Sequence, residues 1–324
     1  MTSVSQTLAT ETSADSESLD LVSLVMPVWR PRPEWLLAAV ESALGQRGCT
    51  IELIVVDDGC PEPVVDLLAA VDDPRLRVLT IEHGGTSRAR NAGVAASRGD
   101  WIRFVDCDDV LDLDSTAHLL ELAENGDVIA YGATVWCDEE LRPGSKMVSS
   151  LQGSVATECL LSRFSVTLPT LLFPRRVVDA VGEWDTEIAV CQDWDFVLRA
   201  LERAHVRGDD RVALFYRRHH HGASAGTLGS RDSVRLGEQG MRLVVQRYFE
   251  RHPEKRGTGL EMKAHARVEL VMARSHREAY LAHLGRALRG DRTGVGRELT
   301  VLVRILGYKA RVRLTSALSR RVRR

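Results

Sequence analysis

The acidic run Asp106-Cys107-Asp108-Asp109 is the segment whose residue types point most directly to chemistry. It follows residues 101–105, a short apolar run of the kind that forms a buried strand. Carboxylates clustered at a strand end suit a divalent cation that also binds phosphate oxygens. The competing interpretation is a helix cap formed by Asp109 or Asp114. A cap accounts for one carboxylate but not for three within four residues.

Two further segments carry groups suited to a phosphorylated ligand. Asp57-Asp58-Gly59 ends another apolar run, and its glycine suits a tight turn. Gly84-Gly85 opens a predicted helix in which Arg88 and Arg90 could pair with phosphates, while the helix start offers backbone N–H groups. The sequence contains neither the GxxxxGK[ST] phosphate loop nor a GxGxxG turn after a strand, so it lacks the usual signatures of nucleotide hydrolysis and nicotinamide binding.

Two later segments also place ionisable side chains together. Asp193 and Asp195 lie in a predicted helix, residues 191–202, and two positions apart they face different ways. One is then free for proton transfer while the other caps or pairs, although an ordinary helix start enriched in Asp is the alternative. Residues 216–221 combine guanidinium groups with three histidines, which suit phosphate and metal; a solvated loop is the commoner role of such a triplet.

Short apolar strands alternating with amphipathic helices would position these residues. The predicted strands are residues 21–28, 51–56, 76–81, 101–105, 128–135, 166–173 and 211–216. The predicted helices are residues 34–46, 64–71, 86–97 and 191–202, with further helix from about residue 231. This alternation predicts an α/β fold with a mostly parallel sheet, helices on both faces, and ligands beyond the carboxyl ends of the strands.

Composition excludes several classes of protein. The 324 residues, 44% hydrophobic and 27% charged, can bury a core without disulfide or metal staples. A net charge of −2 argues against a nucleic-acid-binding protein. Six cysteines without a CxxC pair and the lack of a secretory signal predict reduced thiols in the cytoplasm. The sequence has no apolar run of 18 residues, so we expect no transmembrane helix.

Charge is unevenly distributed along the chain. Residues 1–19 are acidic and predicted to be disordered, whereas residues 229–324 are predicted to form a helical extension with a basic tail. The amphipathic stretch 297–310 either packs on the preceding domain or on a second copy in a homodimer, or lies on anionic lipid. We favour packing, with the final arginines making a separate peripheral contact at the inner face of the plasma membrane.

Together these segments resemble family 2 glycosyltransferases. The motifs that carry the resemblance are residues 22–27 (VSLVMP), 54–59 (IVVDDG), 89–93 (ARNAG) and 104–109 (FVDCDD), followed by the later segments 192–195 and 216–219. They cover residues 21 to about 225. The resemblance implies a GT-A fold, a Rossmann-like mostly parallel sheet, over residues 20–228. It also implies inverting transfer of a sugar from a nucleotide-sugar donor, usually UDP-linked, to an acceptor hydroxyl.

The resemblance further implies roles for individual residues. The donor-binding residues would be Pro27, Trp29, Asp58, Arg90, Asp106 and Arg217, with Trp29 stacked on the base. The ligands of a Mn²⁺ or Mg²⁺ ion on the diphosphate would be Asp106, Asp108 and His219. Asp193 would be the general base. The sequence departs from the family pattern at two positions. The family usually has Asn before the Gly-Gly turn, to which we compare Glu82, and it commonly has Glu where this chain has Gln192. The carboxylate of Glu82 is expected to alter the nucleotide preference.

Two other functions compete with this interpretation. One is a catalytically degenerate scaffold protein that only binds sugar nucleotides, and the intact Asp106, Asp108 and Asp193 argue against it. The other is a sugar-nucleotide nucleotidyltransferase, which would need a Gly-rich, Arg-containing loop where Pro27-Val28-Trp29 stands. Within the glycosyltransferase interpretation, the acceptor is left open between a glycan, a lipid-linked sugar and a small molecule.

Overall fold

The computed structural model describes residues 20–124, 128–164, 166–219 and 231–275. The predictions for the acidic residues 1–19, the second and third histidines of the triplet and the basic residues 297–324 lie outside these ranges.

The first half of the chain forms a parallel sheet from its apolar runs. The strands are β1 (Leu21–Val28), β2 (Thr50–Asp57), β3 (Leu76–Thr80) and β4 (Trp101–Phe104). In the sheet, β1 pairs in parallel with both β2 and β4, and β2 pairs in parallel with β3. These strands are predominantly apolar because helices cover both faces of the sheet. The strand bounds agree with the sequence prediction to within one residue.

Three helices connect these strands: α1 (Pro33–Leu44), α2 (Val64–Leu67) and α3 (Thr86–Ala96). A proline at the first position of α1 presets its backbone, as predicted. In α3, a Cβ on Gly93 would overlap the Val25 side chain, so this glycine allows the helix to lie close against β1. The predicted helix 64–71 is shorter than expected, since α2 ends at Leu67.

In the second half of the chain the sheet becomes mixed. Its strands are β5 (Val110–Leu111), β6 (Val128–Cys137), β7 (Pro143–Met147), β8 (Leu171–Pro174) and β9 (His205–Arg217). The order across the sheet is β3-β2-β1-β4-β8-β6-β9-β5, with β7 paired to β6. The predicted strand 166–173 is partly wrong: Leu168–Thr170 is a 3₁₀ turn. Pro169 lacks the N–H that a strand ladder needs, so the strand begins only at Leu171.

The remaining helices pack on this sheet or on one another. They are α4 (Ser115–Ala123), α5 (Ala156–Leu160), α6 (Arg175–Val181), α7 (Gln192–Leu201), α8 (Arg231–Arg251) and α9 (Gly259–Ser275). Val244, Val245 and Tyr248 of α8 belong to the same buried cluster as Ile102 and Phe104 of β4. The start of the predicted extension therefore shares the core of the sheet. None of the described helices has both the length and the apolar character needed to cross a membrane.

A buried arginine holds the end of β4 in place. Arg103 is fully buried and donates hydrogen bonds to four uncharged oxygens, at distances of 2.8 to 3.0 Å. The acceptors are Pro169 O, Ala213 O, Ser115 Oγ and Thr116 Oγ1. Burial lowers the pKa of Arg103 to about 9. These bonds tie β4 to β9 and to the start of α4, and so fix the acidic loop that follows β4.

Candidate active site

The predicted site residues gather at the carboxyl edge of the parallel strands. The Arg90 Nη2 atom of α3 lies 3.1 Å from Asp106 Oδ1 in the loop after β4. His219 Nε2, just beyond β9, lies 2.8 Å from Asp108 Oδ2 in the same loop. Asp193, at the start of α7, is near enough for its charge to contribute to the raised pKa of Asp106. Residues that are more than 100 positions apart in the sequence thus meet at one edge of the sheet.

Asp58 organises the turn that precedes α3. Its carboxylate accepts hydrogen bonds from the backbone N–H groups of Gly84, at 2.8 Å, and Gly85, at 2.9 Å. Gly85 adopts φ 88°, a backbone conformation that favours glycine. Each carboxylate oxygen has two acceptor positions, so Asp58 retains capacity for a ligand N–H while it holds this turn.

His83 is a site residue for which the sequence predicts no role. Its ring stacks on the Trp29 ring, with centroids 3.8 Å apart and planes inclined by 18°. Its Nδ1 atom lies 2.9 Å from Asp58 Oδ2. The comparison of Glu82 with the residue before the Gly-Gly turn is wrong by one position, because His83 directly precedes Gly84. Adjacency to the turn is the signal that identifies His83.

Arg90 is buried beside Asp106 with part of its guanidinium unused. Its residue is 5% exposed, and its Nε and Nη1 atoms have no hydrogen-bond partner. Buried polar groups are normally paired, so these two positions suit an anionic ligand. Burial raises the pKa of Asp106; the Arg90 charge opposes this rise, and the charges of Asp108 and Asp193 add to it.

Asp109 is not a helix cap. Its Oδ1 atom accepts the backbone N–H of Arg217 at 2.8 Å, and its Oδ2 atom is buried without a hydrogen-bond partner. Burial, followed by the charges of Asp108 and Asp106, raises the pKa of Asp109 well above its usual range. Asp114 stands at the N-cap position of α4 but makes no side-chain bond to the helix. The capping interpretation of the acidic run therefore fails for both residues.

Arg217 anchors the acidic loop to β9. Its Nε atom donates to Asp108 O at 2.9 Å, and its Nη1 atom donates to Glu139 O. The guanidinium also lies 4.9 Å from the centre of the Trp35 ring, and the His219 ring lies 4.6 Å from the same ring. Arg217 and His219 thus reach the acidic loop from one strand, with Trp35 of α1 packed beside them.

The oxygen atoms of the acidic loop suit a metal ion that is bound together with phosphate. Among the residues with described placement, no group of three or more His, Cys, Asp or Glu side chains is arranged to hold a metal ion by itself. Mg²⁺ is commonly bound through one or two carboxylates together with substrate phosphates. Asp106 and Asp108 provide such a pair, and the buried Oδ2 atom of Asp109 adds an unpaired oxygen behind them.

The two acids at the start of α7 face different surroundings. Asp195 is buried, and its Oδ2 atom lies 2.8 Å from Arg199 Nε. Asp193 is exposed, and its Oδ1 atom accepts the backbone N–H of Trp194 at 2.8 Å. Cys191 before them has φ 70°, a left-handed conformation that is unusual for a side chain of this kind and sets the direction in which α7 begins. Asp193 is the acid that is open to a ligand.

Four stacked groups connect α3 with α7. The Arg90 Cζ atom lies 4.5 Å from the centre of the Trp184 ring, which stacks on Phe196 with centroids 4.1 Å apart and planes 4° from parallel. The Arg199 Cζ atom lies 5.4 Å from the centre of the Phe196 ring. Asn91 holds Trp184 in place: its Oδ1 atom accepts the Trp184 backbone N–H at 2.8 Å, and its Nδ2 atom donates to the Trp184 carbonyl at 3.2 Å. We call Arg90, Trp184, Phe196 and Arg199 the four-group stack.

Residues 23–167 match the family described as glycosyl transferase family 2. This segment of the chain belongs to that family. The glycosyltransferase segment contains six of the predicted site residues: Pro27, Trp29, Asp58, Arg90, Asp106 and Asp108. Asp193, Arg217 and His219 lie beyond it and reach the same edge of the sheet through α7 and β9.

Curated relatives match this chain over only part of their own length. The succinoglycan biosynthesis protein ExoO of Rhizobium meliloti is 41% identical over 104 residues, which cover 32% of this chain and 28% of ExoO. The uncharacterized glycosyltransferase EpsJ of Bacillus subtilis is 36% identical over 118 residues, which cover 35% of this chain and 34% of EpsJ. The matches therefore span about a third or less of either relative.

Solved structures share the fold. The crystal structure of S. aureus TarS 1-349 in complex with UDP-GlcNAc superposes with a TM-score of 0.56 at 13% identity. The superposition covers 86% of this chain and 92% of the TarS chain. With the family 2 match, this similarity confirms the predicted GT-A fold, a Rossmann-like sheet flanked by helices.

Proposed function

We propose that the protein is an inverting glycosyltransferase, which moves a sugar from a nucleoside diphosphate donor to an acceptor hydroxyl. The observation that carries this proposal is the grouping of Arg90, Asp106 and Asp193. A buried arginine with two unpaired atoms, Nε and Nη1, lies beside one carboxylate, and the charge of an exposed carboxylate reaches that same carboxylate. Such a site can bind a diphosphate and accept a proton.

The nucleotide end of the donor would lie beside Trp29 and the Asp58 turn. His83 stacks on the Trp29 ring and approaches Asp58 there, so a base would stack on Trp29 only after the His83 ring has moved aside. Pro27 lies next to the last residue of β1, and Trp29 follows this strand directly. Trp29 is 38% exposed and offers its aromatic ring to a base. Asp58 has acceptor positions left for a ring N–H. The complex of TarS with UDP-GlcNAc supports a UDP-linked sugar as the donor.

The diphosphate would lie over the acidic loop. Arg90 would pair with it through the two unpaired N–H positions, and Asp106 and Asp108 would hold a Mn²⁺ or Mg²⁺ ion on its oxygens. A bound ion would neutralise charge on the leaving diphosphate. His219, with Nε2 2.8 Å from Asp108 Oδ2, would orient that carboxylate or contribute to the same set of ligands, and Arg217 would keep the loop against β9.

Asp193 would take the proton from the acceptor hydroxyl. A hydroxyl is a weak nucleophile until a positioned base removes its proton. One displacement at the anomeric carbon then releases the nucleoside diphosphate and inverts the configuration. The displacement needs a single base, and Asp195 cannot supply it because that carboxylate is paired with Arg199.

The test compares Asp193→Asn with Asp179→Asn, which changes an exposed acid on α6 in the same way. A panel of nucleotide sugars with Mn²⁺ is first screened by thermal shift, and release of the nucleoside diphosphate is then measured with the donor that binds. We expect Asp193→Asn to bind the donor normally and to lose turnover by about a hundredfold or more. Wild-type turnover in Asp193→Asn would refute Asp193 as the base, and donor binding without turnover in the wild type would favour the scaffold function.

A further inference from the structure

A cavity lies between α7 and α8, outside the predicted donor site. It is lined by residues 183–187, by Asp195 and Arg199 of α7, and by Arg247 and Arg251 of α8. Its volume of about 460 Å³ falls within the roughly 300–1,000 Å³ that is usual for small-molecule sites. Asp193 and the acidic loop do not line it. We call it the α7–α8 cavity.

Three residues that line the α7–α8 cavity carry buried polar atoms without hydrogen-bond partners. They are Asp195 through Oδ1, Arg199 through Nη2 and Arg247 through Nε. Asp195 and Arg199 are 2% and 8% exposed. Asp195 Oδ1 lies 3.7 Å from Arg251 Nη1, which is too long for a hydrogen bond. Arg247 Nε lies 3.4 Å from Asp185 Oδ2, so its charge already has a partner. Buried polar atoms in native proteins are normally paired, so Asp195 Oδ1 and Arg199 Nη2 are the acceptor and the donor left for a ligand.

The charges around the α7–α8 cavity nearly balance. Its lining includes four carboxylates, from Glu183, Asp185, Glu187 and Asp195, and three guanidinium groups. An anion would face the carboxylates, and a cation would face the arginines. A hydroxyl group both donates and accepts, so a ligand rich in hydroxyls matches an unpaired carboxylate oxygen beside unpaired guanidinium N–H groups.

We propose that the α7–α8 cavity binds a saccharide unit of the acceptor, at a distance from the reacting hydroxyl. This inference rests on the proposed glycosyltransferase function. The four-group stack links this cavity to the donor site, because Arg199 lines the cavity at one end and Arg90 lies beside Asp106 at the other. A sugar bound between α7 and α8 thus contacts the helix that carries Asp193.

The test uses the full-length protein with saturating UDP and Mn²⁺, so that the donor site is filled. Cellobiose, lactose, chitobiose and maltose are examined by saturation-transfer NMR, and a microarray of bacterial glycans extends the range. Thr186→Trp places a large side chain on exposed Thr186 at the lining of the cavity. Thr50→Trp, at the exposed start of β2, is the matched control. Arg247→Ala, at a side chain 34% exposed, removes a guanidinium from the lining of the cavity together with its ion pairs to Asp185, Glu187 and Glu250, and unfolding by urea checks that this variant folds.

We expect saccharide binding in the wild type and in Thr50→Trp, with at least a tenfold loss in Thr186→Trp and in Arg247→Ala. Once an acceptor that the enzyme uses is known, Thr186→Trp should raise the KM for that acceptor by a similar factor and leave the KM for the donor unchanged. If Thr186→Trp loses saccharide binding but keeps the acceptor KM, the bound saccharide is not part of the acceptor and the assignment is overturned. Absence of binding to every saccharide, or equal binding by Thr186→Trp, would overturn the inference. Donor binding is measured in parallel samples without UDP: if the wild type binds no nucleotide sugar, the proposed function fails instead.

Discussion

Replacing Gly240 by alanine should disturb the catalytic base from a distance. Gly240 lies on α8, where its missing side chain faces the carbonyl oxygen of Val190, two residues before α7 begins. A Cβ at this position would come closer to that oxygen than the 3.0 Å that real Cβ atoms keep. The contact must lengthen by about 1 Å to reach that limit. Either α8 or the segment before α7 has to move.

The movement should fall on the segment before α7. Val244 and Val245, one turn further along α8, are fully buried in the main core, whereas Val190 and Cys191 are only partly buried. A displacement of about 1 Å at Cys191 passes directly to Asp193 on the first turn of α7. Misplacement of a catalytic group by about 1 Å can cost about a hundredfold in rate, or about 2.7 kcal/mol of transition-state stabilisation.

The assay is steady-state transfer combined with a donor-binding measurement. We expect Gly240→Ala to lower kcat by about a hundredfold while donor affinity stays at the wild-type value, because Asp58, Arg90 and Asp106 lie on the sheet and α3. Gly259→Ala, where a Cβ meets nothing within 4 Å, is the matched control. Unfolding by urea checks that both variants fold. A folded Gly240→Ala with wild-type kcat would refute the role of α8 in holding the base.

Three other predictions follow from the site and the core. Asp108→Asn should lose both turnover and its stimulation by Mn²⁺, whereas exposed Asp114→Asn should keep both; full activity of Asp108→Asn in EDTA would contradict the metal assignment. Arg103→Met leaves buried oxygens unpaired and should lower the free energy of unfolding by about 3–5 kcal/mol in urea, with exposed Arg47→Met near the wild-type value. Burial raises the pKa of Cys159 and of Cys191 to about 12, so the thiolate form is scarce at pH 8. Native-state alkylation of these two thiols at pH 8 should therefore be much slower than alkylation of the urea-unfolded protein, and equally rapid labelling of both states would contradict this.

The sequence predicts the parallel part of the fold because local patterns determine it. Strand β1 has the predicted bounds, since a strand covered on both faces reads as a continuous apolar run. Strand β7 gives no such signal: its residues, Pro143 to Met147, are mostly exposed and lack an alternating pattern. It forms by pairing with β6, a contact that its own residues do not encode.

The same limit applies to the site. Carboxylates at strand ends are visible in the sequence, so Asp58, Asp106 and Asp108 could be proposed from their positions. The stacking of His83 on Trp29 depends on the path of two loops that are more than 50 residues apart. The approach of Gly240 to Val190 joins residues 50 positions apart, and a lone glycine in a helix does not indicate its neighbour.

Arg103 is synthesised well before one of its hydrogen-bond partners. One of its acceptors, Ala213 O, is 110 residues further along the chain, so at about 5–20 residues per second this partner leaves the ribosome roughly 6–20 s later. During the earlier part of that interval β4 is an open strand edge, because its neighbour β8, Leu171–Pro174, has not yet been synthesised. A charged side chain on an open edge discourages pairing with other chains. We therefore expect Arg103 to disfavour edge-to-edge pairing of the nascent sheet before it ties β4 to β9 and α4 in the finished protein.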